Sequence, residues 1–329
     1  MTEIRALESG KSKHNVYDPD SFSRVTVLHE LPNGAEPVHA NTLLLGVDGG
    51  GTRCRVRLCA PTGAKLGEAT GGPANIRFGL DQSFSAVLHA TSRCLEQAGL
   101  SSRDYSRIVA CLALAGASEP AELRAAQRYG HPFGRAFITN DAHAACVGAH
   151  GGHDGGIIVV GTGTVGWAEL NGRHIRVGGW GLPVSDEGSG AWLGCEALRR
   201  VLWAHDGRIP WSGLLTALFE QYQSDPHAIV RWATHAAPRE FASLAPAIVG
   251  HAGDPVADEL IRLAAGHIDG LAARLVSLGV ERLALTGGLA PFIETWLADD
   301  TKRHLVEPQG DALEGALQLA RNAAGLAAA

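Results

Sequence analysis

The 329-residue sequence contains no C-x-x-C pair. Its six cysteines, Cys54, Cys59, Cys94, Cys111, Cys146 and Cys195, stand far apart. That spacing excludes a compact zinc or dithiol redox centre and leaves the cysteines to be read mainly as small core residues. No apolar run is long enough to span a bilayer, and the apolar segment of a signal peptide is missing, so the expected setting is a reducing cytoplasm with no membrane partner. There is no cluster of basic residues. With 28 Lys and Arg against 34 Asp and Glu, the formal charge is -6, and a scattered minority of cations offers no face to a nucleic-acid backbone. The 45% hydrophobic content suffices for two medium domains or one large one, each with a buried core.

Residues 1–40 mix charged residues, Ser and Pro without sustained period and are expected to form a poorly ordered extension. The SGKS within them is not a phosphate loop of the Walker type, because Arg5 stands where the first glycine is needed and no strand leads into it. From Leu43 the pattern becomes strand, glycine loop, strand: LLLGV, DGGGT, then RCRVRLC with Arg53, Arg55 and Arg57 alternating with apolar residues. The same sequence of elements returns as GIIVV, GTGT and VGWAELNGRHIRV, where Asn171-Gly172 predicts a type I′ hairpin turn. Helices are predicted around Phe84 to Leu95, over Ala142–His150 and over Gly190–His205. A nearly all-helical stretch follows from Ser212 to Ser277, broken by Pro226, Pro238, Pro246 and Pro255. Strand ERLALTGG, a short helix from Pro291, strand HLVEP and a helix from Asp311 close the chain. The expected class is α/β in two lobes, residues 41–150 and 151–329, with the last helix packing back on the first lobe.

GTGTVG at 161–166 matches the dinucleotide fingerprint G-x-G-x-x-G letter for letter. That fingerprint must open a helix, whose N-terminus holds the pyrophosphate. Here the residues after it alternate as a strand, so a dinucleotide is a poor fit. A glycine turn between strands can still cradle phosphate, since the backbone approaches closely and successive N–H groups converge on one anion. Gly49, Gly50, Gly51 and Thr52 in the first lobe and Gly161, Thr162, Gly163 and Thr164 in the second are therefore candidate grips on a polyphosphate, ordinary tight hairpins being the alternative. Asp48 is a candidate Mg²⁺ residue acting through water. Gly287 and Gly288 end a strand where the adenosine part of ATP could lie.

DGGGT, TNDA, GTGT, GGWG, DEG and TGG, in this order between Asp48 and Gly288, resemble the sugar-kinase branch of the actin, hexokinase and Hsp70 superfamily. More closely they resemble the BadF-type ATPase and N-acetylglucosamine kinase family. LALAGA, TNDAHAACVGAH, SDEGSGAWLG and QGDALEGAL look most like its bacterial glucosamine kinases. The resemblance implies a two-lobed actin-like ATPase (ribonuclease H-like) fold, with duplicated strand, glycine-loop, strand hairpins closing on ATP and Mg²⁺ in a central cleft. It also implies transfer of phosphate to an amino sugar, glucosamine or alternatively N-acetylglucosamine, and leaves a homodimer open.

By the same resemblance Asp141 is the catalytic base. Its position at the carboxyl end of a strand agrees, although Asn140 and Asp141 both also suit a helix N-cap. Asn75, with Ile76 beside it, matches a sugar-binding Asn and could otherwise be a turn residue. Asp186 matches a carboxylate that binds sugar hydroxyls, and Gly179 and Gly181 let backbone approach the sugar. Trp180 packs either on the sugar ring or in the core, with the core expected. Glu187 is expected to cap the following helix. A more distant reading, an activator ATPase of a radical dehydratase, needs a cluster-ligating cysteine near the second phosphate loop, and GIIVVGTGT has none. A sugar-responsive repressor would need a DNA-binding helix pair, which residues 1–40 are too short and irregular to supply.

Overall fold

A computed structural model of the chain describes residues 41–326; the expected extension at 1–40 and its SGKS lie outside the described residues. The first sheet comprises β1 (Leu43–Gly49), β2 (Cys54–Cys59), β3 (Lys65–Gly71), β4 (Ile108–Leu114) and β5 (Arg135–Asn140) in the order β3-β2-β1-β4-β5. The second comprises β6 (Gly155–Val160), β7 (Thr164–Leu170), β8 (Arg173–Gly178) and β9 (Leu283–Thr286) in the order β8-β7-β6-β9. In each sheet the first strand runs antiparallel to the second and parallel to the fourth, so the chain builds one topology twice. The expected strand HLVEP is reduced to a single bridge, Leu305 parallel to Leu283. It occupies the edge where a counterpart of β5 would lie. Pro308 follows it and cannot donate to a ladder.

Both glycine loops are tight. Register places Gly49 opposite Cys54 and Val160 opposite Thr164, leaving only residues 50–53 and 161–163 between the strands. Asn171 and Gly172 both have positive φ, 52° and 71°, as a type I′ turn requires. On β2, Cys54, Val56 and Leu58 are buried while Arg55 and Arg57 reach outward. Five cysteines are buried and Cys195 is half-buried.

Helix α1 (Leu80–Gln97) buries Phe84, Val87 and Leu95 against the first sheet. Helix α2 (Pro120–Gln127) was not expected from the sequence; Pro120 opens it in the first turn, where a missing N–H costs nothing. Helix α3 (Asp141–His150) follows β5 directly and separates the sheets. Its Ala144 and Val147 pack toward Cys111 and Ala113 of β4, and its Ala142, Cys146 and Ala149 toward Ile157 and Trp167 of the second sheet. The second lobe carries α4 (Gly190–His205), α5 (Gly213–Gln221), α6 (Pro226–His235), α7 (Pro238–Ala242), α8 (Ala245–Gly250) and α9 (Pro255–Ser277). Pro226, Pro238, Pro246 and Pro255 each stand in the first turn of one of these, so they begin helices rather than interrupt them. After α10 (Ala290–Ile293) and α11 (Asp299–Lys302), α12 (Ala312–Ala323) returns to the first sheet, where Ala316 and Ala320 join the cluster of Cys111 and Ala144. No helix among the described residues is long and apolar enough to cross a membrane.

Candidate active site

Because β1 and β4 are parallel and β5 continues the same direction, their carboxyl ends share one edge, and the chain leaves that edge at Asp48 and Asp141. A cavity of about 580 Å³ opens there. Asp48, Arg55, Asp141 and Asp311 line one side, and Val159, Val165, Thr286, Gly287 and Ala290 line the other. It is therefore a cleft between the two duplicated halves.

Asn140 is the N-cap of α3, its Oδ1 accepting from the His143 N–H at 2.7 Å. This releases Asp141, the first residue of the helix, from capping. Its Oδ1 accepts the Ala142 N–H at 3.0 Å, its own N–H bears weakly on the same carboxyl, and no other residue bonds its Oδ2 among the described residues. Burial raises the pKa of this carboxyl, and the nearby Asp48 carboxylate adds to the rise against the opposing Ala142 hydrogen bond. A carboxylate moved toward neutrality, with one oxygen bonded by no other residue and facing a cleft, has the chemistry of a general base.

Asp48 stands beside it. Arg55 donates to Asp48 Oδ2 from Nε at 3.1 Å and Nη2 at 2.8 Å, and from Nη1 to Asp311 Oδ2 at 2.6 Å. Arg55 thus ties the end of β1 to the start of α12, whose capping box is Asp311 with Glu314. Asp48 Oδ1 is left without a protein partner among the described residues.

The glycines divide by what surrounds them. A Cβ on Gly49 would stand 2.7 Å from the Leu114 side chain and 3.1 Å from the Ala74 carbonyl, so packing already favours a glycine there. Gly161 and Gly288 face open space, and a Cβ on Gly51 would meet nothing closer than 3.8 Å, so the backbone at these three positions is bare without any demand from the chain. The hydroxyls of Thr164 and Thr286 are buried and unpartnered. Buried polar atoms without partners are uncommon, and two of them beside bare glycine backbone fit the phosphates and ribose of a nucleotide. The second loop is held from behind: Gly190 and Ala191 at the start of α4 donate to the Gly161 and Thr162 carbonyls at 2.8 and 3.1 Å.

A second cluster adjoins the first. Asn75 caps a short 3-10 turn, its Oδ1 accepting from the Arg77 N–H at 3.0 Å, and lies near Gly51. Ile76 is buried in the first core, contributing backbone to the loop rather than a side chain to a ligand. Asp186 adopts a left-handed conformation (φ 68°), accepts the Gly181 N–H at 3.0 Å and crowds against Gly163. Burial raises its pKa, opposed chiefly by the Gly181 hydrogen bond and, more weakly, by Arg176 and Arg77. Neither Asn75 nor Asp186 lines the cavity that holds Asp141.

Two expectations are corrected. Trp180 is 67% exposed rather than in the core. Gly179 and Gly181 on either side both have positive φ, which turns the loop outward, and the Arg176 guanidinium lies 4.3 Å from the indole centroid. Glu187 does not cap α4. Ser189 does, accepting from the Trp192 N–H at 3.1 Å, while Glu187 accepts from Ser185 Oγ at 3.5 Å. Sequence reading missed Arg55, Arg77 and Arg176. The only signal for Arg55 was its outward place in an alternating strand.

The profile of the BadF/BadG/BcrA/BcrD ATPase family matches residues 45–320. The glucosamine kinase GspK of Vibrio cholerae is 39% identical over 278 residues, which cover 84% of this chain and 95% of that protein. The crystal structure of a candidate N-acetylglucosamine kinase from Chromobacterium violaceum is 37% identical and covers 85% of this chain and 99% of its own, with a TM-score of 0.80. A second such candidate, from Porphyromonas gingivalis, is 21% identical with a TM-score of 0.62 over 85% of this chain and 99% of its own, and shares the fold.

Proposed function

Because the chain belongs to the BadF/BadG/BcrA/BcrD ATPase family, in which it is an ATP-using sugar kinase, we propose that it transfers the γ-phosphoryl group of ATP to the 6-hydroxyl of glucosamine. The observation that carries the chemistry is Asp141: a carboxyl with raised pKa and an Oδ2 that no other residue bonds, in one cleft with Asp48 and the Thr286-Gly287 turn. Asp141 accepts the proton of the attacking hydroxyl as its oxygen bonds to phosphorus, and ADP leaves with the electrons of the broken P–O bond. The N–H groups of Gly50 and Gly161 are spent on the Arg53 and Gly163 carbonyls, so the remaining N–H groups of the loops at Gly49 to Thr52 and Gly161 to Thr164 hold the phosphates, and Gly287 and Gly288 border the adenosine. Asp48 would hold Mg²⁺ through its waters, and the ion would supply neutralisation of phosphate charge. Asn75, Asp186 and the backbone at Gly179 and Gly181 bind the sugar hydroxyls, with Trp180 at the rim.

Identity of 39% across 95% of the Vibrio glucosamine kinase supports glucosamine. The exposed Trp180 and Val184, apolar surface beside Asp186, favour N-acetylglucosamine as the second reading, since its acetyl methyl needs such a contact. ADP release from Mg-ATP, measured with glucosamine, N-acetylglucosamine, glucose and mannose separately, should give the highest kcat/KM with glucosamine. A higher value with the acetylated sugar would reverse the assignment, and no stimulation by any sugar would refute the kinase reading. Asp186→Ala should raise the sugar KM by about 10- to 100-fold, the worth of a hydrogen bond to a charged group, while the KM for ATP stays close to that of the parent.

A further inference from the structure

Behind the reaction cleft, on the side of α3 away from the first sheet, lies a group of side chains that the kinase reaction does not use. Glu169 on β7 and His174 on β8 are directly opposed across the hairpin, and His143, in the first turn of α3, faces both. Nitrogen and oxygen atoms of the three side chains all lie within 4.8 Å of one another. We propose that His143, Glu169 and His174 bind a divalent first-row transition ion of the zinc class.

Three features carry this. His143 is 4% exposed, and its Nδ1 lies 2.8 Å from the hydroxyl of buried Thr139, which accepts from it when Nδ1 carries the proton. That orients Nε2 toward Glu169, the arrangement by which outer partners fix a ligating imidazole. The Nε2 to Glu169 Oε2 separation is 3.6 Å, too long for a direct hydrogen bond and short enough for one ion to touch both. The third feature is His174, whose ring centroid is 4.4 Å from that of His143. Two imidazoles and a carboxylate suit zinc-class ions rather than Mg²⁺. Trp167, on the same face of β7 with its ring 5.8 Å from His174, walls the group on one side. Glu169 is 28% exposed, which leaves an entry path and room for a water ligand. The ion would fasten α3, and with it Asp141 at the helix N-terminus, to the β7-β8 hairpin.

Full-length protein stripped with EDTA and titrated with ZnCl₂ against a chromogenic chelator should bind one ion that Glu169→Gln and His174→Ala each weaken by at least about tenfold, with Thr139→Val weakening it about 10- to 100-fold. Zinc should also raise the melting temperature of the parent and leave that of the two ligand variants where it was. Glu169→Gln keeps shape, and its unchanged melting temperature without zinc serves as the folding control. Absence of binding by the parent, or equal affinity in parent and ligand variants, would overturn the site.

Discussion

Asp141→Asn should lower kcat about 10²- to 10⁴-fold, the contribution of a positioned base, and leave the sugar KM within about a factor of three, because the amide keeps the size and the hydrogen-bonding edge of the carboxylate. Expressed as a barrier the loss is about 3 to 5 kcal/mol. The structure permits this clean separation: Asn140, not Asp141, caps α3, so the substitution removes a proton acceptor without removing the cap. The parent should show an acid limb in kcat/KM against pH. The active form is the carboxylate, so the rate rises as pH rises through the Asp141 pKa. Burial and the charge of Asp48 both move that pKa upward, so the limb should lie above the ordinary aspartate range of about 3.9. In Asp141→Asn the residual rate should lack that limb. An unchanged kcat, or a profile in the variant that superimposes on the parent's, would remove Asp141 from the role.

What the sequence makes legible is whatever is encoded by local chemistry. The glycine loops, the Asn171-Gly172 turn and the position of Asp141 at a strand end all follow from period and residue type over a few neighbours. β3 escaped because KLGEATG lies at the edge of its sheet with small residues, Gly67 and Ala69, where others have Val or Leu. The reason is tertiary: a Cβ on Gly67 would stand 2.5 Å from the Cys94 carbonyl of α1. Trp180 misled because its composition signals a core and its flanking glycines, whose φ is invisible in sequence, turn it outward. Ser189 was hidden among SDEGS, in which several residues can cap. The bond of Arg55 to Asp311 spans 256 residues, and His143, Glu169 and His174 meet only because a helix of one half lies on a hairpin of the other. No local pattern reaches that far.

Gly315→Ala should be among the most destabilising single-methyl changes available to the chain, although it raises helix propensity. Gly315 on α12 faces the backbone of α3: an added Cβ would fall within bonding range of the Ala144 carbonyl and 2.6 Å from the Gly148 nitrogen. Gly148 faces back, and a Cβ there would overlap the Asp311 carbonyl. Neither obstacle is a side chain that can rotate, so the helices must separate. That opens the small-residue cluster of Cys111, Ala113, Ala144, Ala316 and Ala320 between them. Overpacking of this kind costs about 1 to 3 kcal/mol or more, which for a chain of this size lowers the melting temperature by about 2 to 4 °C per kcal/mol. The matched control is Gly266→Ala in the middle of α9, where a Cβ meets nothing within 4 Å; there the same methyl should be neutral or stabilise by up to about 1 kcal/mol. Activity should report the same separation. Moving α12 away from α3 displaces Asp311, and through Arg55 also Asp48, relative to Asp141, so kcat should fall in Gly315→Ala at temperatures where the protein remains folded. Equal melting temperatures for the two variants would mean that α3 and α12 do not approach as closely as the two facing glycines allow.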